Sequence, residues 1–209
     1  IDTGTHNVMM GVQAGDATTT GVGNTFLGTE SGGANTTAGS NTAVGYQSLD
    51  ANTTGSGNVA IGAAALGANT TASNNVAIGY NAAQANDTGD AIVAIGYRSG
   101  AALTAGSTMN TFVGYESGDA TTTGDNNTFI GGHAGGANTS ASNNTALGFL
   151  ALGANTTGAH NTAVGSGALD ACTDGHSLVA MGHNALGAVD DATYCVAVGR
   201  EAGMTLQSA

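Results

Sequence analysis

One glycine, returning at a fixed interval, constrains this chain more than any motif in it. It stands at Gly11, Gly28, Gly45, Gly62, Gly79, Gly96, Gly114, Gly131, Gly148, Gly165, Gly182 and Gly199. The interval is 17 residues everywhere except between Gly96 and Gly114, where it is 18 and the surplus residue is read at Thr108-Met109. A period this long and regular belongs to stacked supersecondary units, none of which can bury its apolar face alone. It predicts one elongated repeat domain over residues 1–209 in place of one or two globular domains, and the start at Ile1, already in phase, leads us to expect a piece of a longer protein.

With each anchor glycine numbered zero, the residues before it alternate in a defined way. Position −3 is Val or Thr in all twelve coils, from Val8 to Val196, and position −1 is Val, Ile, Leu or Met, from Met10 to Val198. β-Branched stock two residues apart is the pattern of a strand. A bend at the glycine follows, then a second short segment and a polar turn such as Asn52-Thr53-Thr54-Gly55. The expected fold is all-β, a parallel β-solenoid (β-roll) of about twelve 17-residue coils. At about 4.8 Å between rungs the rod would be on the order of 55–60 Å long.

Position −2 is also apolar throughout, which makes the strand apolar on both sides. Strands of that kind are buried on both faces. Positions −3 and −1 are expected to fill the coil's own core and position −2 to be covered by a sister chain. The predicted oligomer interface is therefore Met9, Phe26, Phe112 and Phe129, with Leu49, Leu66, Leu152, Leu169 and Leu186 at position +4. The two positions trade volume. Gly15, Gly32, Gly118 and Gly135 accompany the large side chains, and leucine usually accompanies alanine; Ala83, Gly100 and Gly203 depart from the pattern. Such exchange implies contact between −2 and +4, within a coil or across a subunit boundary.

Composition narrows the partners. Net charge is −12, and Arg98 and Arg200 are the only basic residues, so phosphate-rich nucleic acid and anionic lipid are poor ligands. No apolar run approaches the roughly 18 residues of a membrane span. Every acidic residue avoids the apolar positions, and 41% hydrophobic residues at fixed phases argue for order. Cys172 and Cys195 are expected as free thiols.

The run Asn-x-Ala-(Val/Ile)-Gly, as in Asn58-Val59-Ala60-Ile61-Gly62 and Asn75-Val76-Ala77-Ile78-Gly79, resembles the head repeat of YadA-type trimeric autotransporter adhesins and of bacteriophage tail fibres. The resemblance covers Asn7 to Gly203, with a 17-residue period where the adhesin repeat typically has 14. It implies a homotrimeric β-roll in an attachment fibre, on a virion or at a cell surface, with a cell-surface glycan or protein receptor as partner.

Little in the chain suggests catalysis. His6, His133, His160, His176 and His183 are scattered over four positions of the repeat, serines lack a neighbouring base, and neither cofactor nor metal is expected. The binding candidate is an aromatic ladder at position +1, formed by Tyr46, Tyr80, Tyr97, Tyr115 and Phe149, suited to sugar rings or to packing. Threonine pairs in the turns, such as Thr53-Thr54, raise an ice-binding solenoid as another reading, although adjacent residues do not make a flat grid. Asn35, Asn52, Asn69 and Asn155 read as glycosylation acceptors or as turn residues bonding their own backbone. Expected functions are thus host attachment as a tail fibre, a bacterial surface adhesin or extracellular filament, and ice binding.

Overall fold

The computed structural model describes residues 3–104 and 106–204. Twelve strands of three residues, β1 (Val8–Met10), β2 (Thr25–Leu27), β3 (Thr42–Val44), β4 (Val59–Ile61), β5 (Val76–Ile78), β6 (Val93–Ile95), β7 (Thr111–Val113), β8 (Thr128–Ile130), β9 (Thr145–Leu147), β10 (Thr162–Val164), β11 (Val179–Met181) and β12 (Val196–Val198), form one parallel sheet in chain order. Each position pairs with its own kind one coil on, as Ala43 with Ala60 and Ala60 with Ala77. The fold is a β-solenoid, and β1 to β12 spans roughly 53 Å at about 4.8 Å per step.

The anchor glycine turns the chain off the sheet. Its φ lies between +124° and +142° in every coil, and a Cβ on most of these glycines would run into the carbonyl of the next anchor. No L-residue combines that angle with that approach, which is why the period is written in glycine. Position +2 also takes a left-handed conformation in all twelve coils, with φ between +50° and +67°, and only Gly167 is a glycine there. That angle costs an L-residue roughly 1–2 kcal/mol. The ladder of backbone bonds continues past the strand, for example from Glu30 N–H to the Val12 carbonyl and from Gly32 N–H to the Ser48 carbonyl, and offsets the strain.

The two strand faces are the reverse of the sequence expectation. Position −2 points into the coil's own interior, where Phe26, Ala43, Ala60, Phe112 and Phe129 are fully buried. Positions −3 and −1 face outward, and Val8, Met10, Leu147, Met181, Val196 and Val198 are exposed. The predicted oligomer interface is accordingly corrected. Phe26, Phe112, Phe129, Leu49, Leu66, Leu152, Leu169 and Leu186 are fully buried within the single chain, and Met9 is half-buried against the same core. The physical reason is width. A 17-residue coil encloses room for alanines and one large side chain per rung, so the bulkier β-branched ladder stands outside.

The exchange of volume between −2 and +4 is contact within a coil. A Cβ on Gly32 would lie 2.7 Å from the Phe26 ring, and one on Gly15 2.7 Å from the end of Met9. Gly100, an exception by its own coil, faces Phe112 of the next coil and Leu103. Where −2 is alanine, leucine at +4 fills the same space.

Asparagine lines the rest of the interior. At position −4 each Asn accepts from the backbone N–H one coil on, and all but Asn75 donate to a turn carbonyl, as Asn127 does toward Asn144 at 3.0 Å and Ala141 at 2.9 Å. These side chains satisfy backbone groups at a corner that neither strand nor water reaches. Ile92, Leu178 and Cys195 take the place of asparagine in three coils. A second asparagine ladder at position +7 joins Asn35, Asn52 and Asn69, and Asn86 on the next coil bonds to Gly89 instead. The surplus residue of the 18-residue coil is also relocated. Thr104 and Ser107 bond to Thr122 and Gly124, offsets of 18 and 17, so the insertion lies between them and not at Thr108-Met109.

Candidate functional site

Past the corner glycine, position +1 stands clear of the core. Tyr80 and Tyr97 are stacked with centroids 5.6 Å apart, and Tyr97 and Tyr115 with centroids 5.1 Å apart. His133 comes from position +2 of the next coil and meets Tyr115 edge-on at 5.3 Å and Phe149 at 6.2 Å. Four of the five expected aromatics thus form one line, with His133 as a member that phase alone does not reveal. Tyr46 stands apart, two coils from Tyr80 and 54% exposed.

Stacking decides what the line offers. Both faces of Tyr97 are covered by neighbouring rings, so the middle of the ladder presents ring edges and phenol hydroxyls. Open ring faces occur only where the ladder is interrupted. Beside it, Glu116 lies 4.0 Å from the Arg98 guanidinium and 3.5 Å from His133 Nδ1. These pairs are partly exposed and contribute little to stability. The Glu116 charge is the main reason that the Tyr115 phenol is raised above its ordinary value.

Farther round the coil, position +5 carries Asp50, Asp119 and Asp170. Desolvation raises all three carboxyls above the ordinary range; Glu30 and Asp16 add to the effect at Asp50, and Glu116 at Asp119. An open cavity of about 210 Å³ is lined by Gln47, Asp50, Ala64, Gly67, Ala68 and Gln84. Gln47 Nε2 donates to Glu30 at 2.7 Å, which fixes the amide at the cavity edge.

Several other candidates have structural roles. Thr36 and Thr53 hydroxyls donate to the carbonyls of Thr53 and Thr70 at 3.1 and 3.0 Å, so the turn threonines are tied to the next coil. Asn35, Asn52, Asn69 and Asn155 are buried, out of reach of a glycosylating enzyme. His176 Nδ1 accepts from the Ala159 N–H at 2.9 Å. Both cysteines are free, and burial raises the Cys172 thiol above its usual range. Among the described residues no group of three or more His, Cys, Asp or Glu is arranged to hold a metal ion, and no helix is long and apolar enough to cross a membrane.

The remaining feature is the outer sheet face. Positions −3 and −1 form two parallel lines of Val, Thr, Ile, Leu and Met along all twelve strands, uninterrupted by charge. No protein-family model, curated protein or solved structure matches the chain.

Proposed function

We propose that this chain is part of a homotrimeric attachment fibre, of the bacteriophage tail-fibre kind in the first instance and of the bacterial adhesin or extracellular filament kind in the second. The observation that carries the reading is the apolar outer face. A soluble monomer rarely exposes so long an apolar strip, and here Met10, Ile61, Ile130, Leu147, Met181 and Val198 all lie on it. Packing three such faces about a shared axis buries them and leaves the acidic positions outside. The number three comes from the resemblance of the Asn-x-Ala-(Val/Ile)-Gly run. A stiff rod in three copies multiplies weak surface contacts by avidity, which suits adhesion and asks nothing of catalysis.

Light scattering on the purified chain is expected to return the mass of three chains, and the labelled assembly to adhere to whole host cells. A single-chain mass at micromolar concentration refutes the trimer, and adherence to none of a broad panel of cells refutes attachment.

One observation favours ice binding as a second reading. Thr111, Thr128, Thr145 and Thr162 occupy position −3 on four successive rungs of the outward face, each two residues from an aliphatic side chain. Thermal hysteresis from a monomer whose sheet face is open would support it. A trimer that buries that face removes it.

A further inference from the structure

The aromatic line is interrupted twice between aromatic neighbours, and the two interruptions differ. In the eighth coil position +1 is Gly132, between Tyr115 and Phe149, and His133 occupies the gap. In the fourth coil position +1 is Ala63, between Tyr46 and Tyr80, and the residue that corresponds to His133 is Ala64. No side chain longer than a methyl group enters from that rung. We propose that the notch between Tyr46 and Tyr80 is a saccharide-binding slot that receives one gluco-configured pyranose ring.

Three features carry this. The first is spacing. Rings on successive rungs stand 5.1–5.6 Å apart, so rings two rungs apart are separated by roughly 10 Å, room for one further ring in van der Waals contact with both. In the corresponding gap of the eighth coil the His133 imidazole stands edge-on between Tyr115 and Phe149, so a gap of this width admits a ring-sized group. The second is exposure. Tyr46 and Tyr80 are 54% and 53% exposed, and neither ring is stacked on its side toward Ala63. The third is the polar lining. Gln47, the chain neighbour of Tyr46, and Ala64, the chain neighbour of Ala63, both line the cavity completed by Asp50, Gly67, Ala68 and Gln84.

Ligand class follows from these groups. Gln47 donates to Glu30 and keeps its carbonyl free, Gln84 supplies a donor and an acceptor, and Asp50 supplies an acceptor. Adjacent hydroxyl groups satisfy such a set. Asp50 and Glu30, with no cation in the lining, disfavour a phosphate, sulfate or carboxylate. Equatorial hydroxyls leave C–H groups on both faces of a pyranose, so both tyrosines are used. An axial hydroxyl would point into one ring.

This slot rests on the attachment reading for its purpose and on its own geometry for its chemistry. The test is isothermal titration of the whole chain with cellotriose, and with β-1,4-mannotriose as the axial-hydroxyl comparison. Cellotriose is expected to bind, and mannotriose at least about tenfold more weakly. Tyr46→Ala and Tyr80→Ala should each weaken cellotriose by about tenfold or more, the scale of a lost ring contact together with the area it buried. Ala63→Tyr completes the ladder and should abolish binding while circular dichroism is unchanged. Ala64→Gln serves the same end, since Gln13 and Gln47 hold the equivalent backbone angle at φ 57° and 53°. Tyr194→Ala, at an exposed tyrosine outside the ladder, should bind as the parent does. No heat from cellotriose, or undiminished binding by Ala63→Tyr and Ala64→Gln, overturns the slot. A chain that adheres to cells but ignores cellotriose loses the slot and keeps attachment; one that binds cellotriose but adheres to nothing does the opposite.

Discussion

Phe129 and Gly135 share one parcel of interior volume. The ring lies where a Cβ on Gly135 would have to go, and Gly135 has φ +57°. Five other coils solve the same problem with alanine at −2 and leucine at +4, with Leu49, Leu66, Leu152, Leu169 and Leu186 at φ 49–55°. Phe129→Ala alone is expected to cost about 3–5 kcal/mol through the cavity it leaves. Gly135→Leu alone overpacks the coil and should cost about 1–3 kcal/mol or more. The double variant adopts the alanine–leucine solution and should return to within about 1–2 kcal/mol of the parent, the residue being the strain of a left-handed leucine. Urea melts of the four proteins measure the cycle, and simple additivity would show that the two positions do not share space. This trade was legible in the sequence because volume is conserved within each pair. Its location inside one chain was not, since pairing alone does not say whose core is being filled.

At the scale of the strand, the period and the glycine bends identify the fold, but size misleads about direction. Val and Ile at −3 and −1 look like core, and Ala at −2 looks like the lesser face. The informative position is −4. Ile92, Leu178 and Cys195 replace asparagine there, and an asparagine that exchanges with such residues is interior. Positions −4 and −2 share a side of the pleat, so the inward face could have been read from those three substitutions. The aromatic ladder was visible by phase, whereas His133 joins it from another position and the notch at Ala63 depends on how its neighbours stand. Stacked coils also bring carboxylates together, with a consequence for acid stability. Asp50, Asp119 and Asp170 have folded-state values raised above 3.8, so the native state holds their protons more tightly than the unfolded chain does. Stability is therefore lower at neutral pH, rises as pH falls through the raised folded values, and has gained this contribution in full below the unfolded value. A melting temperature higher near pH 4.5 than at pH 7 is expected from thermal denaturation. Asp50→Asn, Asp119→Asn and Asp170→Asn together should raise the neutral melting temperature and flatten its pH dependence. A melting temperature that falls steadily on acidification contradicts the assignment.

Across the whole molecule, charge and apolar surface are segregated, and the segregation sets conditions for assembly. Each chain carries −12, all of it off the two outward lines of the sheet. Bringing three chains together opposes long-range repulsion with contact between apolar faces. Salt weakens the first, because screening shortens its reach from about 30 Å at 0.01 M to about 8 Å at 0.15 M, and it leaves the second in place. Assembly through the sheet face should therefore strengthen as sodium chloride rises from 10 to about 300 mM, read as average mass by sedimentation at one protein concentration. Ile130→Lys with Leu147→Lys separates the two forces. Both residues are exposed on the face, so the coil should still fold, and two lysines reduce the net negative charge. If repulsion alone governed association, this variant would assemble more readily. If the apolar lines are the contact, it should remain a single chain at every salt concentration, because each lysine would be buried against a like charge from its neighbours. A variant that still reaches the mass of three chains would place the contact elsewhere on the rod.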